Sequence, residues 1–343
     1  GTGSDALNGD SFTNITGGNL TVEYKVTPYI VTPGVADCAG AQFTVTVIVN
    51  PAPLFDDGIE TVNSGSPIEV ELDNYINVDT IRIPAARYRI RDIDSPDLTP
   101  GSSNKAIGNV IVSNGIFNDT FTNVSSSLKD VIYTLVPISA EGCEGAAFTV
   151  TVSIRPEPVV DPQTVTVCSD EESEVALIGS TNGVFVDKYL VKQINSIGLT
   201  ATPGVTNPNT AKDDVILSNG VLYNAYTNTS NSPLNVVYTI VPISNQGGVE
   251  VEGKSFTVTV TVNPAPKVAN PAPIEVCSGE TISLNLNDGI VSGGTSFKYT
   301  IDDVVIPLDL TRTGPSSYGT GSDALNGDSF TNITGGNLTV EYK

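Results

Sequence analysis

The side chains that could do chemistry in this 343-residue chain are carboxylates, arginines and four cysteines, because the sequence contains no histidine. Without histidine, neither a Ser-His-Asp nor a Cys-His nucleophile system can be built, and the commonest metal ligand is missing. The remaining residue types form no catalytic constellation. We therefore predict that the chain is not an enzyme and needs no cofactor, with calcium as the one ion to consider.

Three arginines alternate along one predicted strand. Arg87, Arg89 and Arg91 share one face of this strand, whereas Tyr88 and Ile90 point to the opposite face. Such a stripe is a candidate contact for an anion or polysaccharide, or for lateral association with an acidic neighbour. We favour the simpler interpretation, a solvated strand face whose charge is balanced by the aspartates that follow it.

The overall charge limits the partners of the chain. There are 38 acidic residues against 16 basic ones, a formal net charge of −22. Nucleic acids and anionic membranes need a basic footprint, so neither is an expected partner. The apolar runs are far shorter than the roughly 18 residues of a membrane-spanning helix, so no membrane insertion is expected in this segment.

The chain contains a long exact repeat. Residues 319–343 reproduce residues 1–25 letter for letter, 318 positions later along the sequence. Self-similarity at a fixed period is the signature of repeat architectures. We predict that the chain covers slightly more than one period of a longer tandem array, and that its first and last residues fall inside a module.

Three shorter motifs recur within this period. The first, an aromatic residue followed by Thr-Asn, starts at Phe12, Phe121 and Tyr226. A Tyr-x-x-x-Pro segment starts 12 residues after each of them, at Tyr24, Tyr133 and Tyr238. A Phe-Thr-Val-Thr-Val segment follows after a variable interval, at Phe43, Phe148 and Phe256. The recurrence predicts three modules of about 106 residues in each period.

The motifs have the alternation of half-buried strands. Phe148, Val150 and Val152 point to one face while the intervening threonines point to the other. No stretch shows helical periodicity, so the chain is predicted to be all-β. Several short strands in about 106 residues indicate an Ig-like β-sandwich in each module.

Proline-rich joints separate the modules: Asn50-Pro51-Ala52-Pro53, Arg155-Pro156-Glu157-Pro158 and Asn263-Pro264-Ala265-Pro266. Such joints favour extended backbone and remove donors for sheet pairing, so they are short, semi-rigid linkers. The predicted domains are the C-terminal half of a type 1 module (1–53), a complete type 2 module (54–159), a complete type 3 module (160–266) and the N-terminal part of the next type 1 module (267–343).

Acidic residues cluster near these joints. Asp56, Asp57 and Asp161 are candidate calcium ligands, because hard carboxylate oxygens at a module junction can bind this ion. A further cluster is Asp170-Glu171-Glu172. None of these segments has EF-hand spacing, and solubilising surface charge is the interpretation we favour.

These motifs resemble the PKD-like domains of Bacteroidota surface proteins. The resemblance is carried by Val276-Cys277-Ser278-Gly279-Glu280-Thr281 near a module start, by Gly142-Cys143-Glu144-Gly145, and by the Phe-Thr-Val-Thr-Val and closing proline motifs. It implies tandem PKD-like, Ig-like modules in giant adhesins, including SprB-like adhesins of gliding bacteria that the type IX system exports. It implies no enzyme activity.

The resemblance also implies two cysteine positions in each module. Cys168 and Cys277 occupy the first, after the first strand, and Cys38 and Cys143 occupy the second, before the last strand. Asn63 replaces the first cysteine of the type 2 module, and Gly247 and Gly248 stand where the type 3 module should carry its second. The implied bond lies within a module, between Cys277 and the Cys38 equivalent of the next copy. A bond across a joint, from Cys143 to Cys168, would have to span some 30 Å of strand, beyond the ~7 Å reach of a disulfide.

Three short motifs resemble sites of glycosylation. Asn14-Ile15-Thr16 and Asn19-Leu20-Thr21 match the N-linked acceptor pattern. Asp79-Thr80-Ile81 resembles the O-linked motif of Bacteroidota.

The function predicted from these features is structural. We expect a repeat segment of an extracellular, filamentous cell-surface adhesin, outer-membrane-anchored or secreted, serving as stalk and multivalent fibre in adhesion and gliding. Its expected partners are adjacent modules, lateral copies and a surface or polysaccharide ligand. One alternative is a non-covalent filament assembled by strand complementation. Another is a set of carbohydrate-binding accessory modules of a secreted enzyme.

Overall fold

The computed structural model describes residues 7, 9–30, 33–34, 36–77, 83–112, 116–203, 215–218, 220–294, 297–314 and 324–343. Strands account for 47% of the structure and helices for 3%, which confirms the prediction of an all-β protein built from tandem β-sandwich modules. The two helices in the described part are four-residue 3₁₀ turns, Leu72–Tyr75 and Leu286–Gly289, and no helix there has the length and apolarity to cross a membrane. The Asp79-Thr80-Ile81 motif lies outside the described residues.

The chain divides into two compact units. Unit 1 comprises Gly1–Val159, Ser180–Val186 and Ile243–Gly253, and unit 2 comprises Val160–Gly179, Asp187–Pro242 and Lys254–Lys343. Each unit contains one large sheet and one smaller segment with the same motifs.

The N-terminal segment, residues 1–53, forms two antiparallel strand pairs. Its strands are β1 (Leu20–Val26), β2 (Tyr29–Ile30), β3 (Cys38–Ala39) and β4 (Phe43–Val49). β1 pairs with β4 along its whole length, from Val26 beside Phe43 to Leu20 beside Val49. β2 and β3 form the connecting hairpin.

A five-stranded sheet follows, in the order β5-β13-β12-β7-β9. Two short pairs, β6 with β10 and β8 with β11, form the second layer. The strands are β5 (Gly58–Asn63), β6 (Val70–Glu71), β7 (Arg87–Asp94), β8 (Thr99–Pro100), β9 (Val110–Val112), β10 (Ile116–Phe117), β11 (Phe121–Thr122), β12 (Lys129–Ile138) and β13 (Phe148–Arg155). The first and last strands, β5 and β13, are parallel neighbours.

The second large sheet repeats this order as β14-β23-β21-β16-β18, with β22 paired to β21. Its first and last strands, β14 and β23, are again parallel. The strands are β14 (Gln163–Cys168), β15 (Ser173–Ala176), β16 (Lys188–Asn195), β17 (Thr200–Ala201), β18 (Val215–Leu217), β19 (Val221–Asn224), β20 (Tyr226–Thr227), β21 (Leu234–Gln246), β22 (Val249–Glu252) and β23 (Phe256–Asn263).

The C-terminal segment, residues 267–343, contains shorter strands. They are β24 (Lys267–Val268), β25 (Thr281–Asn285), β26 (Ile290–Ser292), β27 (Val304–Val305), β28 (Leu310–Arg312), β29 (Ala324–Asn332) and β30 (Glu341–Tyr342). β29 lies between β25 and β28, while β27 pairs with β30 and β24 with β26.

The core of the first large sheet consists of the residues that alternation assigned to one face. Val131, Tyr133 and Leu135 of β12 are fully buried, and so are Val150 and Val152 of β13. Each such side chain stabilises the fold by about 1.5–3 kcal/mol through burial of apolar surface. The second sheet buries the matching positions Val236, Tyr238, Ile240, Val258 and Val260.

A buried tyrosine-carboxylate contact accompanies this core. The Tyr133 hydroxyl donates to Asp119 Oδ2 at 2.8 Å. Tyr342 donates in the same way to Asp328 at 2.7 Å, and Tyr24 to Asp10 at 2.6 Å. Burial, with the neighbouring Asp119 charge, raises the pKa of the Tyr133 hydroxyl far above its usual value.

A buried asparagine connects the last strand, β13, to the loop before β12. We call β12 and its counterparts, which contain the motif tyrosine, the Tyr strands. Asn123 Nδ2 donates to the Ser127 and Ile154 carbonyls at 2.8 Å each, while its Oδ1 accepts from the amide and hydroxyl of Ser125. Asn228 makes the same four bonds, to Ser232, Val262 and Ser230. The Asn-x-Ser/Thr pattern therefore serves here to satisfy buried polar groups.

Asn14, one of the two predicted N-glycosylation sites, has the same geometry. Asn14 is 2% exposed, and its Nδ2 donates to the Gly18 and Val49 carbonyls. Thr16, the third residue of the motif, donates to Asn14 Oδ1. An N-linked sugar would have to be attached to this buried amide, so Asn14 has a structural role in place of a glycan. Glycosylation of the exposed Asn19 stays a prediction.

We expect Asn123→Ala to weaken the edge between β12 and β13. The change leaves the Ile154 carbonyl without its donor, which costs about 1–3 kcal/mol for a buried group. Native-state hydrogen exchange should show this loss as faster exchange in both strands. Asn19→Ala, in an exposed Asn-x-Thr motif, is the matched control, and equal effects of the two changes would contradict the assigned role.

The buried tyrosines predict loss of stability at alkaline pH. Burial raises the pKa values of Tyr88, Tyr133 and Tyr238 in the folded chain above the usual value of 10.0, so the unfolded chain loses these protons first as pH rises. This stabilisation is complete below pH 10 and declines above it. In an alkaline titration, part of the tyrosinate absorbance should rise only together with loss of β-sheet circular dichroism. Tyr133→Phe should reduce that part, and ionisation of Tyr133 in the folded sheet would contradict the prediction.

Candidate functional site

The three arginines lie on β7, where Arg87 and Arg89 alternate with buried residues. The pairing of β7 with β12 shifts register at Arg91, so one common face for all three arginines stays a prediction. Tyr88 and Ile90 are buried on the opposite face. Arg89 makes a two-pronged ion pair with Glu144, at 2.7 and 2.9 Å. A pair this exposed contributes about 0–1 kcal/mol. Arg87 and Arg91 remain exposed, and a ligand for the stripe stays a prediction.

The candidate calcium carboxylates bind neighbouring protein groups. Asp56 Oδ1 accepts from Asn77 Nδ2 at 2.6 Å, and Asp57 Oδ1 accepts from the Thr149 amide at 2.6 Å. Asp161 is exposed and belongs to unit 2. Within the described ranges, no group of three or more histidine, cysteine or acidic residues is placed to hold a metal. A calcium site here stays a prediction.

The acidic cluster after β14 has local partners too. Asp170 accepts hydrogen bonds from the hydroxyls of Thr227, Thr202 and Ser169, and these bonds lower the pKa of its carboxyl, the Thr227 bond most. Glu171 accepts from the Cys168 amide at 2.9 Å. These carboxylates hold the turn after the first strand of the sheet.

The repeated 25-residue sequence occupies two different environments. Leu325 and Phe330 are buried in the C-terminal segment, at 5% and 7% exposure. Their counterparts in the N-terminal segment, Leu7 and Phe12, are 57% and 47% exposed. Because the residues are identical, the difference comes from their neighbours and not from their sequence.

The pairing of the two copies is complementary. In the N-terminal segment the Tyr strand, β1, pairs with the last strand β4. In the C-terminal segment the same residues, β30, pair on β27, and the preceding β29 lies between β25 and β28. The large sheet of unit 1 contains both kinds of pairing at once, because β12 lies between β13 and β7. Each terminal segment therefore contains the strands that the other lacks in the described structure.

The most exposed part of this arrangement is the outer edge of β4. β13 and β23 each have a parallel first strand beside them, whereas β4 pairs with β1 alone among the described strands. Phe43 of β4 is 50% exposed, against 3% for its counterpart Phe148 and 4% for Phe256. An unpaired, apolar strand edge is a template for another β-segment.

The C-terminal segment contains a matching stretch that lies outside the described strands. Ser64 and Ser169 follow the first strands β5 and β14, and their hydroxyls accept from the amides of Asn123 and Asn228 at 2.9 Å. Ser278 accepts from Asn332 in the same way. Residues 272–277 therefore correspond to a first strand, but they pair with none of the described strands, and Ile274 and Val276 are 46% and 44% exposed. Backbone hydrogen bonds along β4 could bind such a segment.

Sequence analysis placed two of the cysteines after a first strand and two before a last strand. All four belong to the described residues and are free thiols in this structure. Cys168 lies beside Asn263, at the end of the last strand. Cys143 lies in the turn before the start of β13. The bond predicted between Cys277 and the next Cys38 stays a prediction.

We expect the same substitution to destabilise the closed sheet much more than the open one. Phe148→Ala should cost about 3–5 kcal/mol because it empties a buried core position. Phe43→Ala, at the corresponding half-exposed position, should cost less than about 1 kcal/mol. Hydrogen exchange of β13 and of β4, measured separately in the two variants, checks this. A large loss on Phe43→Ala in the isolated chain would show that β4 already has a covering partner.

This chain is similar to several solved structures at low sequence identity. Three of these structures illustrate the likeness. They are fibronectin(III)-like modules of Clostridium thermocellum CbhA (10% identity, covering 61% of this chain and 93% of that one, TM-score 0.22), chicken CNTN1 FN1-FN3 (11%, 69% and 75%, 0.25) and Drosophila N-cadherin EC1-4 (11%, 92% and 76%, 0.21). No curated protein matches the sequence.

The comparison with protein-family models is more informative. The model of the PKD-like domain matches residues 2–53, 101–158 and 178–266, which together make up more than half of the chain. The matched parts include the Tyr strands, the last strands and the buried asparagines described above. This chain belongs to the PKD-like domain family.

Proposed function

We propose that this chain is a structural repeat segment of a long, filamentous cell-surface adhesin, in which the modules form the stalk and repeat weak contacts along its length. The observation that carries the proposal is the complementarity of the two terminal segments. Their shared 25 residues pair with the last strand in one copy and with the upstream strands in the other. A following copy of the repeat would supply both sets of partners and complete a sandwich.

The proline-rich segment that follows β13 is held by hydrogen bonds within unit 1, and this supports a stalk. Within unit 1, Asn182 Nδ2 donates to the carbonyls of Val124, Ser125 and Glu157 at 2.8–3.2 Å. Gln246 Nε2 donates to the Pro156 carbonyl at 2.7 Å. The joint residues Pro156, Glu157 and Pro158 are buried. A linker held in this way resists bending better than a solvated one, which suits a fibre that must hold its ligand-binding parts away from the cell.

Multivalency is the proposed mode of attachment. A repeated weak contact gains affinity from the high effective concentration of its neighbours along the fibre. The net charge of −22 per chain would keep neighbouring fibres apart unless cations screen it. Arg87 and Arg91 are the exposed cations proposed to meet a polysaccharide or an acidic lateral neighbour.

The location of the fibre and its role in the organism are also part of the proposal. We place the fibre outside the cell, at the surface, and its role in adhesion and gliding of a Bacteroidota species with type IX export rests on the family resemblance. A non-covalent filament is the second candidate, favoured by the open edge of β4 and the unpaired residues 272–277. In that filament, strand complementation would join separate chains.

Antibodies raised against this chain provide the test. They should label filaments on intact, unpermeabilised cells, and the parent protein should contain many copies of the 318-residue unit. A strain lacking the gene should attach less to surfaces, while a strain expressing the Arg87→Ala, Arg91→Ala variant should keep its filaments. Antibody labelling confined to permeabilised cells, or a parent protein of about the mass of this chain, would contradict the proposed surface array.

A further inference from the structure

We propose that the four cysteines form disulfides across the joints between successive modules and thereby connect one copy of this chain to a second. Cys277 of the first copy pairs with Cys143 of the second, and Cys168 of the first pairs with Cys38 of the second. The inference rests on the proposed function, because both bonds flank a sandwich that the two copies complete together.

The first cysteine position is fixed by the serine that follows it. Ser64, Ser169 and Ser278 each accept the amide of the buried or partly buried asparagine, so Asn63, Cys168 and Cys277 are equivalent. In the closed sheets this position lies at the end of the first strand. Asn63 is beside Arg155, and Cys168 is beside Asn263. The first position therefore faces the joint to the following module.

The second position is fixed by the hairpin before the last strand. Ile30 lies opposite Cys38, and the Ser139 amide donates to the Cys143 carbonyl. In the third hairpin, Ser244 lies opposite Val251. By this register Val251, and not Gly247 or Gly248, is the counterpart of Cys38 and Cys143. The second position lies at the start of the last strand, facing the preceding module.

One joint shows that these two positions meet. Within unit 1, Asn63 Nδ2 donates to the Glu250 carbonyl at 3.0 Å, and Glu250 is bonded to Val251. At this joint neither position is a cysteine. At the other two joints of the period both are, as Cys277 with Cys143 and as Cys168 with Cys38. The cysteines are present or absent together at two positions, and at one joint a hydrogen bond from the first position reaches the residue next to the second.

The open edge of β4 is the proposed pairing site for the segment that contains Cys277. By the register of β5 on β13 and β14 on β23, residues 272–277 of the first copy would lie parallel to β4 of the second, with Cys277 beside Asn50. Asn50, Asn14 and Cys143 line one groove of unit 1. Asn332, the counterpart of Asn14, already bonds to Ser278, the neighbour of Cys277. Completion of the sandwich would therefore bring Cys277 into the groove that contains Cys143.

The same register argues against a bond inside the completed module. Cys38 precedes β4, whereas Cys277 would lie beside Asn50, the residue that follows β4. The seven residues of β4 separate the two positions by roughly 20 Å at about 3.3 Å per residue. A disulfide requires Cα atoms within about 7 Å.

The oxidation can proceed by thiol–disulfide exchange with a small-molecule disulfide such as oxidised glutathione. The exposed Cys277 thiolate attacks its S–S bond, forms a mixed disulfide and releases one glutathione thiolate. The Cys143 thiolate then attacks the Cys277 sulfur, forms the Cys143–Cys277 bond and releases the second glutathione. The glutathione disulfide accepts two electrons, and the two cysteine protons end on the released thiols.

Peptide mapping of the oxidised chain tests the pairing. The reduced chain is incubated at high concentration with reduced and oxidised glutathione, and cross-linked peptides are identified by mass spectrometry. We expect Cys143–Cys277 and Cys38–Cys168 peptides between copies labelled with different isotopes. Cys143→Ser should remove the first bond and leave the second, and Cys38→Ser should do the reverse. A map dominated by Cys38–Cys277 or Cys143–Cys168, or one matching the mixture formed in denaturant, would overturn the proposal.

A second chain controls for weak association between copies. Residues 26–159, appended after residue 343, supply the missing strands and the next Cys143 within one polypeptide. Both bonds should then form inside one chain, independently of concentration. If neither chain forms them, the disulfides are rejected. Surface labelling of filaments is unaffected by that result, so failure here is distinguishable from failure of the adhesin proposal.

Discussion

The last strand of each module needs a partner on both of its edges. In the two closed sheets it has them, a parallel first strand on one side and the Tyr strand on the other. The phenylalanine at its start is then nearly inaccessible, and the alternating valines behind it are fully buried. In the N-terminal segment the described strands cover one edge of the last strand only, and the same residue types become half-exposed. Burial of the whole core thus depends on one strand being enclosed.

The polar contacts of the module serve the same strand. The side chain of the buried asparagine donates to a carbonyl of the last strand, at Ile154, Val262 or Val49. The backbone amide of that asparagine donates to the hydroxyl of the serine after the first strand. First strand, asparagine loop and last strand are therefore connected through two hydrogen bonds. In the C-terminal segment the serine bond is present at Asn332, and the Asn332 amide group bonds the Gly336 carbonyl of its own loop. Half of the connection exists in each terminal segment.

The sequence was sufficient to predict the elements but not their partners. Strict alternation identified the buried faces of β12 and β13, because side chains in a strand have a period of two. The face opposite the arginines of β7 was predicted for the same reason. The role of Asn14 was missed, since a buried capping asparagine and a glycosylation acceptor share one pattern. The second cysteine position of the third module was misplaced at Gly247 and Gly248, because the hairpin there is longer and only its register identifies Val251. Half-modules at both ends of the chain were predicted, but the edge of β4 as the one without a described partner was not, because it depends on which distant segments meet.

The parallel pairing of first and last strands determines how a module responds to tension. The chain enters the sheet through β5 and leaves it through β13, and these strands run side by side in the same direction. A pull on the two ends of the module slides one strand along the other, so their shared hydrogen bonds are strained together instead of opening one after another. Shear of this kind needs a larger force than unzipping. A cell attached through such modules could therefore withstand drag that would peel apart a fibre of simple hairpins.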